Sequence, residues 1–131
     1  MANYRQEYIA YRLTKSNEAF EDAKLLAQNG SWNSCVNRLY YACYYAVSAL
    51  LLKNDITTQT HSGCKTQFGM HFVKIGKVSI VQGRLYADLM DWRQKGDYGD
   101  MFDFDKETVE PLFEPIEAFL KTIKHLIQNH K

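Results

Sequence analysis

Between Ser31 and Lys53 the chain reads SWNSCVNRLYYACYYAVSALLLK, a stretch that is apolar around nearly its whole circumference when wound as a helix. Cys35, Leu39, Ala42, Ala46 and Ala49 recur at spacings of three and four. Val36, Tyr40, Cys43, Val47 and Leu50 form a second such face one residue on. Two apolar faces require neighbours on both sides, so the pattern predicts a central helix around which the others are arranged. Gly30 separates it from what precedes, and Ser31 is placed to cap its first turn. Arg38 is the exception within it. A guanidinium crowded by Tyr40, Tyr41, Tyr44 and Tyr45 needs a carboxylate, a carbonyl or an aromatic face, and the expectation is burial against a carboxylate or backbone carbonyls.

The flanking segments supply the neighbours. Residues 4 to 29 predict a first helix with Ile9, Leu13, Phe20, Ala23 and Ala27 on one stripe, closed by Asn29 and Gly30. Its short connection to the central helix implies an antiparallel pair. After a turn-rich link from Asn54 to Thr60, a shorter helix from His61 to Ile75 carries Phe68, Phe72 and Val73 and closes at Gly76. Ser79 caps a fourth helix running to about Lys95, with Val81, Leu85, Leu89 and Trp92 spaced for the core, and Gly96 ends it. The following GDYGDMFDFD predicts an ordered loop. Asp105 or Thr108 caps the last helix, whose start Pro111 and Pro115 kink or delay and whose stripe includes Leu112, Ile116, Phe119, Leu120, Ile123, Leu126 and Ile127. No sustained period-two alternation occurs. The expected fold class is therefore all-α, an up-and-down helical bundle of four long helices plus one short helix, forming a single domain over residues 1–131.

Composition excludes several classes of function. The chain has no run of about 18 apolar residues, which predicts no membrane span, and MANYRQEYIAYR lacks the apolar core of a secretion signal. Cys35 and Cys43 are too far apart on one helix for a disulfide, and three cysteines is an odd number, so a reducing, cytoplasmic location is expected. A net charge of +1 argues against coating nucleic acid by bulk electrostatics, yet the charge is uneven. Residues 35–99 hold eight Lys/Arg against four Asp/Glu, whereas residues 100–118 hold one Lys against seven Asp/Glu. Gly76-Lys77 lacks the rest of a phosphate-binding loop, and no G-x-G-x-x-G occurs. His61, Cys64 and His71 match no zinc spacing, so they are assigned to packing and surface roles, and neither a metal nor a cofactor is expected.

The chemically densest stretch is Trp92 to Asp100, WRQKGDYGD, where a helix end delivers a cation beside two carboxylates and a phenol. In one reading Arg93 holds an RNA phosphate while Tyr98 stacks on or hydrogen-bonds a base. In the other, Arg38 or Arg93 pairs with Asp97 or Asp100 and pins the loop to the bundle. The candidate binding residues are Arg38, Arg93, Asp97, Tyr98 and Asp100, with Arg93 and Tyr98 as the candidate catalytic pair.

NRLYYACYYAVSALLL in the central helix, THSGCKTQFGMHFVK at residues 60–74 and LMDWRQKGDYGD at residues 89–100 together resemble the HEPN superfamily, and within it the small stand-alone, HepT-like bacterial and archaeal proteins. The resemblance covers most of the chain. It implies an all-α bundle that dimerises, often encoded beside a minimal nucleotidyltransferase, with many members acting as metal-independent RNases in toxin–antitoxin or defence systems. Catalytic members carry an Arg followed four to six residues later by His. Here Arg93 matches the arginine and Tyr98 occupies the fifth position after it, while seven positions after Arg38 stands Tyr45. The expected function is therefore a binding module of a two-component, toxin–antitoxin-like system, holding RNA or nucleotide near Arg93 or docking a nucleotidyltransferase partner. The alternatives are an RNase with an altered Arg/Tyr site and a purely structural dimer module. A symmetric homodimer is expected, with Tyr4, Tyr8 and Tyr11 as interface aromatics.

Overall fold

The structure, a computed structural model, describes residues 2–99 and 102–128. Six α-helices follow in order: α1 (Ala2–Gln28), α2 (Trp32–Lys53), α3 (His61–Phe68), α4 (Ile80–Tyr98), α5 (Lys106–Val109) and α6 (Phe113–Gln128). No strand occurs among the described residues. The all-α bundle of four long helices and one short one is as the apolar periodicity predicts. The additional α5 is a single turn that leads through a 3-10 segment, Glu110–Leu112, into α6. This split start is the delay expected from Pro111 and Pro115, because a proline lacks the N–H that an uninterrupted helix would use.

α2 touches α1, α3, α4, α5 and α6, which makes it the centre of the molecule. Its residues Ala46 to Leu51 are all buried, satisfying both apolar faces. α1 runs antiparallel beside it after a tight turn in which Gly30 takes φ +74°, a left-handed conformation suited to glycine. Polar links tie this pair together: Ser16 Oγ donates to the Ala42 carbonyl at 2.7 Å, Arg12 Nη1 to the Ser48 carbonyl at 3.4 Å and Cys35 Sγ to the Ala23 carbonyl at 3.4 Å.

Several local expectations change. Ser31 precedes α2 but its hydroxyl makes no cap bond. It accepts instead from Asn29 Nδ2 at 3.0 Å, and its φ/ψ of −89°/76° lies outside the extended geometry a cap adopts. Thr60, Ser79 and Asp105 do cap, accepting from the backbone N–H groups of Gly63, Gln82 and Thr108. The short third helix changes at Gly69 into a π-helical turn, Gly69–Val73, and ends before Gly76 at φ +86°. Val81 lies exposed rather than in the core, and Tyr86, Leu89, Met90 and Arg93 form the buried side of α4.

The largest change is at the end of α4, which continues through Gly96 and Asp97 to Tyr98 instead of stopping at Lys95. Tertiary contacts hold this turn. Asn33 on α2 donates from Nδ2 to the carbonyls of Gly96 (3.3 Å) and Phe102 (3.0 Å) and accepts from the Phe104 N–H (2.8 Å). A Cβ added at Gly96 would meet Phe104 Cε2 at 3.1 Å, so the glycine admits the aromatic ring there rather than ending the helix. Of the expected loop, Asp100 and Met101 lie outside the described residues.

Candidate functional site

The polar part of the interior lies where the first half of α2, the start of α3 and the end of α4 converge. Tyr40 is fully buried on α2, and the guanidinium carbon of Arg93 sits 5.1 Å from its ring centroid and 5.7 Å from that of Tyr41. Contacts of this kind favour the cation through the negative face of the ring. Arg93 itself is 7% exposed, not open to solvent as a helix-end arginine would be. Among the described residues its one charge partner is Asp97, one turn on, at 3.7 Å between Nη1 and Oδ2. That separation is too long for a hydrogen bond. The buried Nε has no hydrogen-bond partner among the described residues. Asp97 Oδ2 also accepts from Asn37 Nδ2 at 2.9 Å, which fixes the carboxylate to α2.

On the other side of Tyr40 stands His61, the first residue of α3. The Tyr40 hydroxyl and His61 Nδ1 are 2.6 Å apart, and the imidazole lies 4.4 Å from the Tyr44 ring centroid. Burial, and after it the Arg93 charge, push the His61 pKa below its ordinary 6.5, favouring the neutral ring. Burial pushes the Tyr40 phenol up, so it stays protonated. Behind Tyr40, Tyr86 stacks at 6.0 Å and 8°, and its hydroxyl reaches Cys64 Sγ at 3.6 Å. Two protic pairs, Tyr40 with His61 and Tyr86 with Cys64, therefore flank the stacked rings. The arrangement combines a guanidinium, a neutral imidazole and aromatic faces, which suits an anion carried by a planar base.

The candidates read from the sequence fall into different places. Arg93 and Asp97 belong to this cluster, as an i,i+4 pair within α4 rather than as a bridge from helix to loop. Arg38 stands at its edge, half-buried. Its guanidinium carbon is 5.0 Å from the Tyr41 ring and its Nε donates to Asn37 Oδ1 at 3.0 Å. The expected carboxylate or backbone carbonyl partner is replaced by an amide oxygen and an aromatic face, because Tyr41 lies one turn away on the same side of α2. Tyr98 is 78% exposed. Five positions after Arg93, it projects about 140° around the helix from it, so the structure does not assemble the Arg93–Tyr98 pair. Asp100 lies outside the described residues.

Sequence reading missed His61, Tyr40, Tyr41 and Asn37 as members of this cluster. The run of tyrosines was visible, but it drew attention to Arg38 beside it, and His61 was assigned to packing. Nothing local marks a histidine 21 residues away as the partner of Tyr40. Among the described residues no group of three or more His, Cys, Asp or Glu side chains could hold a metal ion, and no helix is long and apolar enough to cross a membrane.

Comparison with known proteins agrees with the architecture. The chain is 40% identical to a UPF0332 protein of Thermotoga maritima over 98% of both chains. It is 29% and 28% identical to two Methanocaldococcus jannaschii proteins, each named "Putative toxin", over 97% and 94% of this chain and 86% and 91% of theirs. The HEPN domain family matches residues 9–126, a span that contains the central helix, His61, Arg93 and Asp97. This chain belongs to the HEPN family.

Proposed function

We propose that this protein is the RNA-directed member of a two-component, toxin–antitoxin-like system, binding an RNA phosphate at Arg93 with a base against the exposed edges of Tyr41 and Tyr44. The observation that carries the reading is the buried Arg93 guanidinium with an unpartnered Nε and a distant carboxylate. A buried donor left unpaired costs about 1–3 kcal/mol, and an apolar side chain of similar length would avoid that cost. A ligand phosphate entering beside Asp97 completes the missing partner. Names of the Methanocaldococcus relatives support the toxin half of the reading. The partner half is a minimal nucleotidyltransferase, and the protein works as a cytoplasmic homodimer using the exposed Tyr4, Tyr8 and Tyr11. Three unpaired, buried cysteines fit a reducing compartment.

The Tyr40–His61 hydrogen bond favours a second reading, metal-independent RNA cleavage with His61 in the role that Tyr98 cannot take. With Nδ1–H donated to the Tyr40 oxygen, the neutral His61 accepts the 2′-hydroxyl proton at Nε2 while that oxygen attacks phosphorus and the 5′-oxygen leaves with a proton from water, Arg93 offsetting the added charge.

Fluorescence anisotropy with short single-stranded RNA, in EDTA, tests both. Arg93→Met is expected to keep or raise the melting temperature and to lose binding. His61→Gln is expected to bind RNA and to lose any cleavage. Binding by Arg93→Met equal to wild type refutes the binding reading. Cleavage that persists in His61→Gln refutes the second.

A further inference from the structure

A separate surface lies on the far side of the α3–α4 pair. There the two helices leave a groove of about 310 Å³ lined by Gly69, Gly83, Val73 and Ile80 over the buried Phe68 and Tyr86, with the cations Lys65 and Arg84 among its lining. Two rows form it. Lys65, Gly69 and Val73 follow one another at i,i+4 along the third helix and its π turn, spanning about 12 Å, and Ile80, Gly83/Arg84 and Ala87 make the matching row on α4. Each row has a glycine midway along it, and the one on the third helix, Gly69, leaves room for another backbone to approach. Gly83 already sits against Val73, where an added Cβ would meet Cγ2 at 2.8 Å, while a Cβ on Gly69 would meet nothing within 4 Å. Parallel ridges with a shallow centre are the surface into which a helix packs.

Two properties identify the occupant. Aliphatic side chains of these two elements and their connection are left in water: Ile80, which lines the groove, is 69% exposed, its chain neighbour Val81 78%, and Met70 and Ile75 are exposed as well. Clustered exposure of this kind marks a protein contact, whereas single-stranded RNA is held by aromatic faces, which on this molecule gather at the Arg93 cluster instead. The charge is of one sign. From Ile56 to Ala87 the chain carries Lys65, Lys74, Lys77 and Arg84 and no aspartate or glutamate.

We propose that this groove docks an amphipathic helix of another protein, with an aliphatic face for the groove and glutamates or aspartates along its flanks for Lys65 and Arg84. The groove meets the Arg93 cluster only at the buried Tyr86, whose ring stands between the two, so a partner can occupy it while RNA is bound. It is where a cognate component of acidic character would attach, and its π turn supplies the widened backbone that the docked helix covers.

The test uses a fluorescein-labelled peptide of about four helical turns with a Leu/Ile face and Glu flanks, beside the same peptide with Lys flanks and one with scrambled order. The full chain is expected to bind the Glu peptide, more weakly as salt rises, and to bind neither control. Lys65→Glu/Arg84→Glu is expected to weaken it roughly tenfold or more, and Ile80→Ser to weaken it without changing its salt dependence. Circular dichroism and RNA binding establish that these surface variants remain folded. The proposal is overturned if the Glu peptide binds no better than the scrambled one or is unaffected by the double reversal. It is also overturned if the reversal abolishes binding of single-stranded RNA and spares the peptide, which would make the groove a nucleic-acid path, or if it converts a dimer into a monomer, which would make it a contact between copies. Loss of RNA binding in Arg93→Met with peptide binding retained separates this site from the one proposed above.

Discussion

The two halves of α2 are built to different standards. From Ala46 to Leu51 every residue is buried and, Ser48 apart, apolar, and the one hydroxyl is satisfied by the Tyr45 carbonyl at 3.0 Å. From Asn37 to Tyr45 the same helix alternates buried residues with half-buried polar ones. Its Tyr40 and Tyr41 lie against Arg93, a cation whose hydrogen bonds are incomplete. The first arrangement maximises burial and leaves nothing for a ligand to add. The second gives up stability to keep a guanidinium, an imidazole and several phenols within reach of one another, as sites of binding and catalysis do. One helix thus serves as the anchor of the core at its C-terminal end and as a wall of the candidate site at the other.

That division can be broken first where its expected effect is largest. Leu50→Ala, at a fully buried position in the dry half, is expected to cost about 2–5 kcal/mol in urea unfolding while leaving RNA affinity per folded molecule unchanged. An altered affinity in the folded fraction would show that the halves are coupled. In the polar half, Tyr40→Phe removes a single hydroxyl from the bond to His61. The expected loss is about 1 kcal/mol, since the half-buried imidazole regains a partner from water. RNA cleavage, where present, should fall further than stability does, and a proportional loss of both would assign the hydroxyl to packing.

Smaller again is Arg38→Met, expected to change stability by less than about 1 kcal/mol, because the guanidinium rests on a ring at a partly exposed site and no buried carboxylate is left behind. A loss of several kcal/mol would reveal a buried partner for Arg38. The smallest effect is one of pH. The folded His61 pKa lies below the unfolded value, so the unfolded chain takes up its proton first and stability falls as pH drops below about 6.5 toward the folded pKa. Above 6.5 the residue contributes no slope. His61→Gln is expected to flatten the acid side of the stability curve, and an unchanged curve would show that other groups cause the loss.

The parts of this site differ in how legible they were. Arg93 and Asp97 are marked by their density of charge, and the tyrosines by their run along one segment. What misled was the assignment of neighbours. Tyr40 and Tyr41 stand two and three residues from Arg38 in the sequence, yet in space the buried guanidinium above them comes from α4, more than fifty residues later. Gly96 looked like a terminator because glycine weakens helices. Its actual use, admitting Phe104 while Asn33 holds both strands of the turn, depends on residues 63 and 71 positions apart in sequence from Asn33 or its partners. Tyr98 then follows from helix geometry alone: once α4 continues past Gly96, the residue five after Arg93 points elsewhere.

What the sequence determined by itself was the all-α class, the central place of α2, the antiparallel α1–α2 pair and most helix boundaries. These depend on apolar periodicity and on cap and breaker residues, whose effects act within a turn or two of the chain. Only the tertiary structure decided which arginine is buried, that His61 meets Tyr40, that Asp97 lies in a helix and that the α3–α4 groove is left open. Those outcomes depend on how far each helix is rotated and slid against its neighbours. Rotation and register are set by close packing between side chains far apart in sequence, for which a one-dimensional pattern carries no coordinate.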